Sequence, residues 1–167
     1  MALFDLQRSM ERAEIRFGES RVRRLRQDRG HRRLAPELLD EIQRELSGHE
    51  RPAMPELMRR LEAFARARGL RPPSRATIYQ LMSTLPAGTY SIADLPAGVR
   101  ETLYNLDESR SVPGHQLAFH CFNYGGVDAL SFAAGLPWLA LYQAARLRGW
   151  RARSRGLLDA VLAVRKV

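Results

Sequence analysis

Between Met54 and Met82 the chain reads MPELMRRLEAFARARGLRPPSRATIYQLM, a stretch that admits little besides two helices joined by a tight turn. Leu57, Leu61, Phe64 and Ala65 recur at helical spacing, with Arg59, Arg60, Glu62 and Arg66 mostly on other sides of the wheel. Gly69 ends this first helix, because a left-handed residue is wanted there and only glycine adopts it without steric cost. Leu70 returns to the core, and Pro72 and Pro73 keep helix from continuing. Ser74 then offers its hydroxyl to the unpaired amides of a new first turn.

On the second helix Ile78, Leu81, Met82 and Leu85 fall on one side and should pack against the first. The other side presents Ala76, Gln80 and Ser83, flanked by Thr77 and Tyr79, with Ser74 and Arg75 at its start and Arg71 in the turn before it. Small, amide and hydroxyl side chains on an exposed face suit a helix in a DNA major groove. Gln80 has the geometry to pair with an adenine edge, while Arg75, Thr77 and Tyr79 are placed for phosphates. An ordinary helical hairpin has the same apolar spacing. At Ala76-Thr77-Ile78-Tyr79-Gln80 the segment resembles the helix-turn-helix superfamily of DNA resolvases, invertases and transposases, whose recognition helices often read Ser/Ala-Thr-aliphatic-Tyr-Arg/Gln. The resemblance covers residues 54 to 85. It implies that Ala76 and Gln80 face bases and Tyr79 the backbone, and it implies no recombinase chemistry, since no catalytic serine domain or acidic triad surrounds it.

A chain of 167 residues, 45% of them hydrophobic, is long enough for one ordinary domain or two small ones. Its net charge of +9 favours an acidic partner, nucleic acid first and an anionic membrane second. Of the 27 basic residues only Lys166 is lysine, although a GC-rich genome produces the same arginine bias without selection for binding. The charge is uneven. Residues 1–34 hold ten basic and five acidic side chains, residues 145–167 seven and one, and the middle ten and twelve. The two ends therefore read as electropositive arms that add salt-sensitive phosphate contacts, or equally as solvated helix faces.

Four segments are expected. Residues 1–50 form a helical, basic N-terminal region, with Leu3, Leu6, Met10, Ala13 and Phe17 at helical spacing, a basic stretch from Arg21 to His31, and a helix from Pro36 to Leu46. Residues 51–86 hold the helix-turn-helix and complete a trihelical unit. Residues 87–126 read as a small α+β segment, winged-helix-like: a strand over Thr89–Ile92, a helix from about Pro96 to Leu106, and a β segment over Gln116–Tyr124, where Leu117, Phe119 and Cys121 alternate with Ala118, His120 and Phe122. Residues 127–167 are C-terminal helices, one from Pro137 to about Arg148 and one from Ser154 to Val167 that turns Leu157, Leu158, Val161, Leu162 and Val164 inward. Arg165 and Lys166 stand where a helix C-terminus favours cations. The fold class expected is mainly α.

No catalytic or metal site is expected, and no cofactor. His115, His120 and Asp128 match no zinc spacing, Gly125-Gly126 lacks the lysine of a nucleotide cradle, and Asp94, Asp107 and Glu108 have no evident carboxylate partner. Cys121 is the sole cysteine, read as a buried thiol, so an intrachain disulfide is excluded. The N-terminus lacks the apolar core of a secretion signal and no apolar run spans a bilayer, so a soluble, cytoplasmic protein without a membrane partner is expected. These features together predict a non-enzymatic, sequence-specific protein that binds double-stranded DNA. Its expected role is transcription regulation, with an antitoxin or mobile-element setting also consistent, and it is expected to pair as a homodimer through its C-terminal region. The alternative is a non-catalytic interaction subunit whose apolar C-terminal half binds a protein partner.

Overall fold

Apolar residues four apart recur throughout the chain, and the computed structural model, which describes residues 34–107 and 110–165, builds eight helices around them. The helix expected over residues 3–17, the basic stretch from Arg21 to His31 and the expected role of Lys166 at a helix end lie outside the described residues. Contacts divide the chain after Leu34, and all elements below belong to the unit Ala35–Val167.

Helix α1 (Pro36–Leu46) starts on a proline, whose missing N–H is not needed in a first turn, and buries Leu38, Ile42 and Leu46. Helix α2 (Met54–Ala67) buries Leu57, Leu61 and Ala65 along one stripe. Phe64 is half-buried beneath the Arg68 guanidinium, 3.8 Å from its ring centroid. Arg60 bridges the two helices to Glu45 at 3.1 Å, but both partners reach solvent and the pair adds little. Gly69 then takes φ +64°, the Gly69 amide donates to Arg66 O at 3.2 Å, and the Leu70 amide to Ala65 O at 2.8 Å. This pair of bonds satisfies the last carbonyls of α2, and glycine is the residue that permits it. Helix α3 (Arg75–Thr84) begins as the sequence predicts, with Ser74 Oγ accepting from the Thr77 amide, and buries Ile78 and Met82.

Beyond α3, strand β1 (Thr89–Ser91) pairs antiparallel with β2 (Ser111–Pro113), Tyr90 opposite Val112. Between them lie a 3₁₀ turn, the four-residue helix α4 (Ala97–Arg100) and a second 3₁₀ turn over Glu101–Leu103. The expected single helix from Pro96 to Leu106 is thus broken into shorter pieces, with Val99 and Leu103 buried as its spacing requires.

One expectation fails outright. Residues 116–124 are not a β segment: they belong to helix α5 (Gly114–Tyr124), which buries Leu117, Ala118, Cys121 and Phe122. Those positions are one and four apart, a helical stripe. The apparent alternation arose because this helix is covered on most sides and so shows no contrasting polar face. Helix α5 is the centre of the C-terminal half, contacting α6 (Val127–Ala134), α7 (Trp138–Ala144) and α8 (Ala152–Val164). Phe119 meets Trp150 edge to face, with centroids 4.9 Å apart. The helix expected to reach Arg148 stops at Ala144. Of the five residues of α8 expected inward, Leu158 is buried, Val161 and Leu162 are half-buried, and Leu157 and Val164 are exposed. Arg165 does serve a helix C-terminus, though of α6 rather than its own helix. Its guanidinium donates to Leu136 O at 2.6 Å and to Ala134 O, and also to His49 O at 3.1 Å, while its own carbonyl accepts from the Arg51 amide at 3.1 Å.

Candidate nucleic-acid interface

Burying Ile78 and Met82 turns the remaining sides of α3 outward. Arg71, Ser74, Arg75, Ala76, Tyr79, Gln80 and Ser83 are exposed and Thr77 is half-buried, so each residue singled out in the sequence reaches the surface at least in part. They do not all share one role. Ser74 Oγ and Thr77 Oγ1 lie 2.8 Å apart and are engaged in capping the helix, whereas the Ser83 hydroxyl donates back to Tyr79 O at 3.3 Å. Among the described residues, the side chains of Arg71, Arg75 and Gln80 make no hydrogen bond or ion pair. These three, with Ala76 between them, are free to meet an external partner.

Tyr79 differs from the rest. It is 45% exposed and its ring stands at the rim of a cleft shared with Trp138 and Tyr142 of α7, toward the C-terminal helices. Its placement reflects its position three residues before the buried Met82. Helix α3 is fixed from below by Gln143, a buried side chain of α7 whose Nε2 donates to Met82 O at 3.0 Å and Leu85 O at 2.7 Å.

A further electrostatic feature is legible in the sequence as an absence. Residues 63–93 contain Arg66, Arg68, Arg71 and Arg75 and no aspartate or glutamate. Arg68 is occupied by the Phe64 ring and by Glu37 at 3.9 Å. Arg66, in the last turn of α2, is exposed with no ion pair among the described residues, and joins Arg71 and Arg75 as an uncompensated cation. Arg75 occupies the first turn of α3, where the amides already carry partial positive charge and a cation is unfavourable unless an anion approaches.

Elsewhere, among the described residues, no three His, Cys, Asp or Glu side chains gather closely enough to hold a metal, and no helix is long and apolar enough to cross a membrane. His115 and His120 lie on α5 rather than a strand, five residues apart and hence on different sides of it. Burial holds both imidazoles below the usual histidine range. Cys121 is buried, and burial pushes its thiol up to about 11. Comparison with protein-family models, with curated proteins and with solved structures returned no match.

Proposed function

We propose that the chain is a sequence-specific double-stranded-DNA-binding protein, a regulator of transcription, in which α2 and α3 act as a helix-turn-helix. The observation that carries this reading is the exposed face of α3, where Arg75, Ala76 and Gln80 stand without internal partners beside Arg66 and Arg71 in a run free of carboxylates. In this arrangement Gln80 and Ala76 read base edges, and Arg66, Arg71 and Arg75 hold phosphates. Ser74, Thr77 and Ser83 shape the helix and its first turn. The β1–β2 ribbon that follows α3 takes the place of a wing, and two copies pair to read paired half-sites.

The test is binding to the DNA upstream of the protein's own gene, against random duplex, across a salt series. Specific binding keeps its preference as salt rises, while its strength falls with the number of phosphates neutralised. Gln80→Ala should cost about 1–3 kcal/mol on the preferred site and little on random duplex. Arg75→Ala should weaken both duplexes alike and flatten the salt slope by about one unit. Neither variant should lower the unfolding temperature. Equal binding by both variants and wild type overturns the assignment.

One observation favours the second reading, a protein-interaction subunit. On α8 only Ser154 and Leu158 are buried, and Leu157 and Val164 are 40% and 86% exposed. A protein partner or a second copy covering this helix would remove that apolar area from water. A monodisperse monomer at high micromolar concentration overturns pairing through α8.

A further inference from the structure

The cleft at whose rim Tyr79 stands is a concave site of about 370 Å³ between α3, α7 and α8, and the proposed reading of α3 assigns it nothing. Its size lies within the range of small-molecule pockets, and its composition has their pattern of apolar and aromatic walls with a few polar groups. One wall is built in advance. Trp138 and Tyr142, one turn apart on α7, stack with centroids 4.9 Å apart and planes 24° off parallel. Arg146 fixes that arrangement by donating to the Tyr142 hydroxyl at 2.8 Å. Met82 and Leu162 supply aliphatic surface from the neighbouring helices.

The polar groups around the cleft are unequal. Asp159 is already engaged, with both carboxylate oxygens accepting from Arg155 Nε at 3.0 and 3.1 Å. Arg51 lines the same cleft, and its guanidinium has no hydrogen bond or ion pair among the described residues. The Tyr79 hydroxyl is likewise unbonded there, whereas Trp138 is only 5% exposed, so the cleft offers two exposed donor groups, one of them positively charged. A flat apolar slot with surplus donors is complementary to a flat apolar body bearing an anion.

We propose that this cleft binds a small planar aromatic carboxylate, its ring against Tyr142, which Trp138 backs from within, and Tyr79, and its carboxylate on Arg51. Because Tyr79 and Met82 belong to α3, such a ligand bridges that helix to α7 and α8, and its binding is coupled to the placement of α3. This regulatory consequence rests on the DNA-binding reading; the binding site does not.

The test uses full-length protein without DNA and three probes on the same ring in calorimetry: 2-naphthoate, its neutral isostere 2-naphthamide, and the cationic 2-naphthylmethylamine. For a ligand of about a dozen heavy atoms, a dissociation constant of ~1 mM or tighter is expected for the carboxylate. It should bind at least ~10-fold more tightly than the amine, since the charged hydrogen bond to Arg51 is worth about that factor. Arg51→Gln removes only an exposed, unbonded guanidinium and keeps the backbone amide that donates to Arg165 O, so it should reduce naphthoate to the affinity of the amide. Absence of naphthoate binding at about 5 mM, equal binding of the amine, or an unchanged Arg51→Gln affinity overturns the proposal. Adding 2-naphthoate to the DNA titration then reads the coupling as a shifted dissociation constant. Should the protein bind naphthoate in calorimetry yet bind no duplex in the DNA titration, the DNA reading is refuted and the ligand site stands.

Discussion

Replacing Gln143 by methionine keeps the volume of the side chain and deletes both of its donors. Gln143 is only 9% exposed, so water is poorly placed to take over the carbonyls of Met82 and Leu85. Each lost neutral hydrogen bond is worth about 1 kcal/mol, and a carbonyl left without a donor adds desolvation, giving about 2–4 kcal/mol in total. For a unit of this size that is a fall of roughly 6–12 °C in unfolding temperature. Urea unfolding followed by circular dichroism is the assay, with the slope on denaturant unchanged if only stability is altered. Gln143→Glu sharpens the test. A buried carboxylate facing two carbonyl oxygens has its folded-state pKa raised above its unfolded value, so the unfolded state releases its proton first. The variant should therefore lose further stability as pH rises from about 4 to 7, a dependence that methionine lacks. A loss below about 0.5 kcal/mol for Gln143→Met would refute the view that this side chain fastens α3 to α7.

Three other outcomes are expected. A Cβ at Gly125 would lie 2.4 Å from Ala129 Cβ and 2.5 Å from Cys121 O, so Gly125→Ala should destabilise by about 1–3 kcal/mol in the same unfolding assay; a neutral result would contradict the close approach of α5 and α6. The Cys121 thiol, with its pKa of about 11, should resist a disulfide reagent at pH 8 in the folded protein and react at once in denaturant, and comparable rates would contradict its burial. Burial lowers the His120 pKa, so this group leaves stability intact above the unfolded pKa near 6.5 and removes it as pH falls from there through the folded value. His120→Gln should make the acid side of the stability profile shallower, with His115 supplying the remainder, and an unchanged slope would dismiss the effect.

What was legible in the sequence was local. Gly69, Ser74 and the proline at the start of α1 announce backbone geometry within a turn of themselves, and the polar faces of α1 and α2 display their period. Helix α5 gave no such contrast: Phe119, Phe122 and Tyr124 are strand-prone types on a helix buried along most of its length, and only its neighbours decide its form. Helix α8 failed in the opposite sense, since an apolar stripe does not say whether anything covers it. For the candidate site, the exposed face followed from helical spacing, and the carboxylate-free run was available to be counted. The bond from Gln143 to Met82, 61 residues apart, and the cleft that Tyr79 shares with Trp138 depend on how remote helices meet, which no local pattern encodes.

The bonds made by Arg165 have a bearing on synthesis. The carbonyls of His49, Ala134 and Leu136, and the amide of Arg51, belong to segments that leave the ribosome before the residue that gathers them. The turn at Gly69 and the cap at Ser74 involve neighbours only, so α2 and α3 are able to form early on the emerging chain. The linker leading into α2 has no such shortcut and waits for remote partners, first Trp138, whose amide donates to Gly48 O at 3.0 Å, and then Arg165. A nascent chain that has emerged past α3 but not yet to Trp138 would hold its α2–α3 hairpin formed and its linker unmoored, and one that has emerged past Trp138 but not Arg165 would hold that linker by the Gly48 carbonyl. Folding of this unit is then a clasp fastened in two late steps, and limited proteolysis of stalled chains would find the Ser47–Pro52 linker cut less readily once Trp138 has left the ribosome and least once Arg165 has.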